Sequence, residues 1–265
     1  MTSPTCTLTA LYRYPVKSMH GQSLVSSAVS AQGLADDRAW MVADETGRFV
    51  TGRELPRLVT LHAAPDEIGI TLSAPDGSSV TVARKQFNQL LPVQVWRDAF
   101  DAWHGAADAD DWLSAQLGRK LQLIYTGETQ RRVKRHPEVP LSFADGHPLL
   151  LIGEASRVQL SAWVGRDMAM ARFRPNLVIS GTAAFAEDGW QRIRIGEVIF
   201  RISKPCERCV FTTVDPDTGE KTGDQEPIRS LVKHRKGEDG VLFGQLLLAE
   251  NNGQLQTGLP VEVLA

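Results

Sequence analysis

Cysteine is scarce in this 265-residue chain: only Cys6, Cys206 and Cys209 are present. Three cysteines in a chain of this length do not form a disulfide framework. Without an export signal they are expected as reduced thiols, which leaves metal binding, nucleophilic attack or redox cycling as their chemistry. Long apolar runs are also missing, and no stretch reaches the length of a membrane span. The opening MTSPTCTLTALYRYPVKSM has no basic segment followed by an apolar block, so no secretory signal is read there. A cytoplasmic protein with no membrane partner is the expectation. Charge of one sign is lacking too: 29 Lys and Arg stand against 31 Asp and Glu, a net charge of -2. That balance gives no reason to expect nucleic acid as a partner. No internal repeat and no low-complexity segment is found.

What is present begins as short strands. LTALYRYPV, ADDRAWMVAD, GRFVTG, LVTLHAA, GITLSAP and SVTVAR are rich in β-branched and aromatic residues. Asp44-Glu45-Thr46-Gly47 and Pro75-Asp76-Gly77 read as hairpin connections between them. Many short strands at close spacing suggest a barrel or sandwich. The pattern changes near Asp98. An amphipathic helix is predicted over Asp108 to Leu117, with Gly118 near its end. A second helix is predicted from Gly153, with Ala155, Val158, Leu160 and Trp163 on its apolar face and Gly165 as its stop. FRPNLVISG, RIRIGEVIFRIS and CVFTTV read as strands. The end of the chain reads as two strands around a turn at Asn252-Gly253. A boundary between a β unit and an α+β unit is placed near residue 120.

The stretch KPCERCVFTTVDPDTGE, residues 204 to 220, carries two of the three cysteines. A zinc site needs a second ligand pair at short spacing, and the six histidines (His20, His62, His104, His136, His147 and His234) are scattered. A thioredoxin-like dithiol needs a helix after its first cysteine, whereas Val210 to Val214 is rich in strand formers. A single working thiolate at a strand entrance is the third reading. Arg208 beside it favours the ionised form. Asp215-Pro216-Asp217-Thr218-Gly219 then makes a tight turn, with Pro216 fixing φ and Gly219 free to take a positive φ. Burial as two small side chains is the plain alternative. The basic loop Arg131 to Pro140, with Lys134 and Arg135, reads as an ordinary solvated loop, or else as a docking segment for an acidic electron donor.

The run Cys206-Glu207-Arg208-Cys209-Val210-Phe211-Thr212-Thr213-Val214-Asp215-Pro216-Asp217-Thr218-Gly219 closely resembles the signature of MOSC-domain proteins. The group most similar contains the mitochondrial amidoxime reducing component and its bacterial counterparts. Tyr14-Pro15-Val16-Lys17-Ser18 looks like the opening of that family's N-terminal domain. Asp37-Arg38-Ala39-Trp40, Phe143-Ala144-Asp145-Gly146, Gly153-Glu154-Ala155-Ser156, Phe173-Arg174-Pro175-Asn176 and Leu242-Phe243-Gly244-Gln245 follow in the family's order. The resemblance covers almost the whole chain.

It implies a mostly β, α+β protein: an N-terminal β-barrel-like domain over residues 1–120, then a MOSC-type β-barrel domain with a few helices over residues 121–265. It implies molybdenum cofactor, Mo-molybdopterin, as the bound group. Carried over by position, Cys209 is the metal ligand and catalytic thiolate, a soft donor suited to a sulfur-held metal. Cys206 matches the family's non-ligand cysteine, and Cys6 lies outside every motif. The cofactor-binding set carried over is Lys17, Ser18, Arg38, Asp145, Gly146, His147, Arg174 and Asn176, with Arg208 added from within the cysteine run. Lys and Arg suit the phosphate, and Asp and Asn suit the donor-rich pterin edge. Two departures stand out: Leu246 where relatives carry an aromatic residue, and His147 where they carry Ser or Tyr. The implied reaction is two-electron reduction of a small N-hydroxylated substrate. The cysteines of a ferredoxin-like domain are absent, so electrons are expected from a separate donor protein of ferredoxin or flavin type. The alternatives are a sulfur carrier in cofactor sulfuration and a non-catalytic cofactor-binding protein.

Overall fold

The structure, a computed structural model, describes residues 6–129, 131–238 and 240–265. It is α+β and mostly strand, with three α-helices among the described residues. The largest sheet has eight strands, in the spatial order Gln22–Leu24, Thr7–Arg13, Leu177–Ser180, Leu149–Gly153, Leu242–Ala249, Val198–Glu207, Arg192–Ile195 and Val261–Val263. Its two ends approach each other: Leu8 N donates to Leu259 O at 2.9 Å and Val261 N donates to Cys6 O at 2.8 Å. The sheet therefore curls like a barrel wall, although no continuous ladder closes it. A four-stranded sheet, a three-stranded meander (His62–Pro65, Gly69–Ser73, Ser79–Ala83) and the helix Ala107–Leu117 enclose a second core around Trp40, Leu58, Ile70, Leu72 and Leu113. Each such side chain removed from water contributes roughly 1.5–3 kcal/mol before chain entropy is counted.

The two halves of the chain exchange strands. Thr7–Arg13 pairs with Leu177–Ser180 in the eight-stranded sheet, and Gln122–Tyr125 pairs with Trp40–Ala43. One pairing gathers the motifs quoted above. Leu149–Gly153 and Leu177–Ser180 run parallel, which demands a crossover, and the helix Glu154–Val164 supplies it. The segments leading into both strands, Asp145 to His147 and Arg174 to Asn176, thus arrive at one end of the sheet. Thr7–Arg13 is antiparallel to Leu177–Ser180, so its exit, Tyr14 to Ser18, reaches that end as well.

The helix Ala107–Leu117 matches its prediction, with Gly118 left-handed at φ 71° and its N–H donating to Ser114 O. Glu154–Val164 also forms, stopped by left-handed Gly165. Its buried positions are Ser156 and Leu160, while Val158 is exposed; the apolar-face reading was off because Ser156 is held inside by Glu187. CVFTTV is not a strand. The ladder strand ends at Glu207, and Val210–Thr213 is a single 3₁₀ turn with Cys209 at its N-cap. Asn252-Gly253 does not join a hairpin: Gly253–Gln256 pairs with Ser26–Ser30 instead of the strand before it. The Arg131 to Pro140 segment is a hairpin of Arg132–Val133 with His136–Pro140. Arg131 is buried and donates to Ser142 O and Ala144 O, whereas Lys134 and Arg135 are exposed. The short helix Ile228–His234 was not foreseen.

Candidate functional site

Tyr14 is the hub of the gathered segments. Its N–H donates to Asp37 Oδ1 at 2.8 Å, its hydroxyl donates to Pro175 O at 3.0 Å, and its side chain is fully buried. The guanidiniums of Arg38 and Arg174 lie 4.4 and 4.1 Å from its ring centroid, a cation–π arrangement that holds two like charges close together. Burial and the Arg38 charge lower Arg174 to about 10. Arg38 donates to Asp37 and, at 3.1 Å, to Asn176 Oδ1. Both Arg38 and Arg174 have left-handed backbone, φ 50° and 54°, a conformation uncommon outside glycine.

Asn176 is buried and already engaged: Oδ1 accepts from Arg38 and from Leu150 N, and Nδ2 donates to Tyr12 O. Its visible work is to fix Arg38 and to stitch three strands together. Lys17 is buried, donates to Phe143 O at 2.8 Å and forms an ion pair with Asp145. Burial lowers the Lys17 ammonium and Asp145 opposes that shift. The Asp145 side chain is 64% exposed. Desolvation by its neighbours pushes that carboxyl up, but Lys17 and the Trp96 N–H outweigh it and hold the group well below the usual range. Ser18 is buried with left-handed backbone, φ 71°. A Cβ at Gly146 would meet nothing within 4 Å, so its backbone faces open space.

His147 stands apart from these charges. It is hydrogen-bonded to Ser203 Oγ at 2.8 Å, and burial, with Lys204 and His136 nearby, lowers it to about 4 from an ordinary 6.5. It is therefore neutral at pH 7 and offers no cation to a phosphate. A depressed folded value means that the unfolded chain binds the proton more readily between those two values. Stability held above pH 6.5 is then lost as pH falls toward 4. The effect is on the order of 2 kcal/mol once partial solvent exposure is allowed for. In thermal melts from pH 7 to pH 4, His147→Gln is expected to show a shallower fall in Tm than the parent; equal slopes would refute this account of His147.

Cys209 begins the 3₁₀ turn, and its carbonyl accepts from Thr212 N and Thr212 Oγ1. Its thiol is partly exposed and has no hydrogen-bond partner among the described residues. Arg208 does not serve it: Arg208 Nη1 contacts Cys206 Sγ at 3.1 Å and Nη2 donates to Phe173 O at 2.6 Å. Cys206 packs against the cluster of Leu150, Ile152, Phe173 and Phe243. The two cysteines thus separate physically, one engaged and one free. Phe211, two residues beyond Cys209, lies 5.7 Å from the Arg174 guanidinium and presses on Gly52. Asp215 braces the following turn by accepting from Asp217 N and Thr218 N, both at 3.1 Å. Gly219 takes its positive φ, 74°, with Pro56 O close by. The turn is therefore the scaffold that the sequence implies.

Arg174 Nη2 and Arg208 Nε are buried without a partner. An unpaired buried donor costs about 1–3 kcal/mol until an acceptor reaches it. Among the described residues no group of three His, Cys, Asp or Glu is placed to hold a metal ion. The unpartnered Arg174 donor and the free Cys209 thiol fit a phosphate-bearing cofactor whose metal takes a soft thiolate. Tyr14, Asp37, Gly52 and Phe211 were given no role in the sequence reading. Tyr14, Asp37 and Phe211 lie inside quoted motifs, but their contacts depend on the fold and leave no local signature; Gly52 lies outside them.

The gathered lysine and arginines define a protein suited to hold an anionic group, and Phe211, 5.7 Å from the Arg174 guanidinium, links them to the turn that begins at the partly exposed Cys209. The chain belongs to the MOSC family: residues 5–120 match the MOSC N-terminal beta barrel domain and residues 138–262 match the MOSC domain. Mouse mitochondrial amidoxime-reducing component 1 is 31% identical, covering 97% of this chain and 82% of the relative. The human component 1 is 30% identical, covering 97% and 83%. Human mitochondrial amidoxime reducing component 2 is 30% identical over 96% of this chain and 82% of its own. No described helix is long and apolar enough to cross a membrane.

Proposed function

We propose that this chain is a molybdenum-cofactor-dependent oxidoreductase that reduces N-hydroxylated compounds, such as amidoximes, hydroxylamines and N-hydroxylated base analogues, to the parent amine or amidine. The observation that carries the reading is the cluster of Lys17, Arg38 and Arg174, with Arg174 Nη2 buried and unpartnered, joined through Phe211 to the turn that carries the free Cys209 thiol. The names of the relatives support the reaction type. The cofactor, when bound, would supply a centre able to exchange two electrons. Cys209 gives that metal one thiolate. Arg174, Arg38 and Lys17 hold phosphate oxygens by charge-assisted hydrogen bonds, with the Ser18 hydroxyl beside them. Asp145 accepts from the pterin edge, and the open backbone at Gly146 lets the ring system approach. Asn176 and Asp37 keep Arg38 aimed. Residues 1–120 and 121–265 are the two units that supply these groups.

The reaction cleaves the N–O bond and consumes two electrons and two protons; water leaves with the former hydroxyl oxygen. A separate ferredoxin- or flavin-type protein supplies the electrons. The test uses purified, metal-loaded protein with benzamidoxime and a reduced artificial donor. Benzamidine formation is the expected result, and loaded protein that turns over no N-hydroxylated substrate under any donor would remove the reductase reading.

A further inference from the structure

Beside the cleft lies a recess of about 430 Å³, lined by Arg48, Phe49, Thr51, Arg53, Gln94 and Trp96, with Glu54 at its rim. It touches the proposed site at three points. Trp96 Nε1 donates to Asp145 Oδ1 at 2.9 Å. Phe49 lies 5.3 Å from the Lys17 ammonium. Gly52, inside the lining segment, is in contact with Phe211 of the Cys209 turn.

Two features of the recess stand out, an indole that meets Phe49 edge-on at 4.7 Å and a guanidinium over its ring. Trp96 sits at the tip of the hairpin between Gln89–Val95 and Asp98–His104 with φ 57°, and it is 40% exposed. A positive φ at this hairpin position is ordinarily supplied by glycine or asparagine, and a bulky residue there stores strain of order 1 kcal/mol. Nothing about the turn itself requires an indole. The second feature is Arg53. Its guanidinium lies 4.6 Å from the Trp96 ring centroid and makes no hydrogen bond or ion pair with any described residue. The other charges of the lining are matched: Glu54 pairs with Arg48 at 3.4 Å and with Arg119 at 2.9 Å. One flat aromatic surface and one cation free of hydrogen bonds, with the Asp145 carboxylate as its nearby counter-charge, therefore face the same space.

We propose that this recess is the substrate-recognition mouth of the site, and that it selects planar N-hydroxylated compounds bearing an anionic group, a carboxylate or a phosphate, through stacking on Trp96 and a charge-assisted contact to Arg53. The proposal rests on the reductase reading for its N-hydroxyl group, but the binding chemistry is independent of turnover. A fork of guanidinium donors beside an aromatic face matches an aryl carboxylate or a nucleotide phosphate and gives a neutral aryl ring only the stack.

The test compares benzamidoxime with 4-carboxybenzamidoxime, which share a reacting group and differ by one carboxylate. The parent protein is expected to favour the carboxylate in kcat/KM by about tenfold. Arg53→Gln brings the ratio to near one, and Arg53→Lys retains much of it. Binding is read separately as quenching of tryptophan fluorescence by 4-carboxybenzamidoxime, which disappears in Trp96→Phe and weakens about tenfold in Arg53→Gln. A 4-phosphono analogue distinguishes phosphate-type from carboxylate-type preference, and either preference supports the mouth. An unchanged substrate ratio in Arg53→Gln overturns the proposal, as does loss of molybdenum from that variant, which would place Arg53 on the cofactor. If neither amidoxime is reduced yet Arg53-dependent quenching persists, the reductase reading falls and the anion-selective recess stands.

Discussion

Cys209→Ala is expected to lower amidoxime reduction by about 10³-fold or more, whereas Cys206→Ala keeps it within about threefold. The asymmetry follows from where the sulfurs sit. Cys206 is packed against Leu150, Phe173 and Phe243 and contacted by Arg208 Nη1 at 3.1 Å, so its loss opens a small void and costs roughly 1 kcal/mol of stability. Cys209 has a thiol with no described hydrogen-bond partner, on a turn braced by backbone contacts that its side chain does not make. Truncating it removes the proposed metal ligand and little packing. Denaturant midpoints should move more for Cys206→Ala than for Cys209→Ala, while turnover shows the reverse order. Equal losses of turnover in both variants would mean that the cysteines act as a pair.

Gly52→Ala should damage the site nearly as severely without touching a cofactor contact. The backbone of Gly52 is not left-handed, so alanine is conformationally acceptable there. A Cβ, however, would sit 2.3 Å from Phe211 Cε2 and 2.6 Å from Cζ. The ring has to move, and it is flanked by the Arg174 guanidinium and tied to the turn that begins at Cys209. Overpacking of this kind costs about 1–3 kcal/mol, and a displacement near 1 Å at the reacting centre lowers turnover by about 10²-fold. Adding Phe211→Ala should relieve part of the destabilisation, giving a coupling energy of about 1 kcal/mol or more in a double-mutant cycle by urea unfolding. Additive effects would show that the two residues do not press on each other.

The cleft was legible in the sequence where residue type and position coincide within a motif. Lys17, Arg38, Asp145 and Arg174 do converge, because a parallel strand pair and one antiparallel neighbour bring their segments to the same end of the sheet. His147 is carried over by position from the resemblance and Arg208 comes from within the cysteine run, but their side chains turn to Ser203 and to Cys206; chain neighbours on extended backbone point to opposite sides. The CVFTTV segment misled because β-branched residues favour extended backbone only where a partner strand is available. Here the ladder has already ended at Glu207, and Thr212 and Thr213 spend their hydroxyls on carbonyls three residues back, closing a 3₁₀ turn. The Asn252-Gly253 signal was local and strong, but Gly253–Gln256 finds its partner more than two hundred residues away in Ser26–Ser30. Arg53 and Trp96 carry no pattern at all, since their meeting depends on how a hairpin tip folds over a loop.

The central claim is that Cys209 and the arginine cluster hold a molybdenum-bearing pterin. It is tested most directly by metal and pterin analysis of the purified chain beside Cys209→Ala, both expressed in a host that makes the cofactor. The account predicts close to one molybdenum per chain with matching pterin in the parent, and loss of most of the metal in the variant while its melting temperature is retained. A parent chain that carries no molybdenum, or a Cys209→Ala variant that holds as much as the parent, would contradict it.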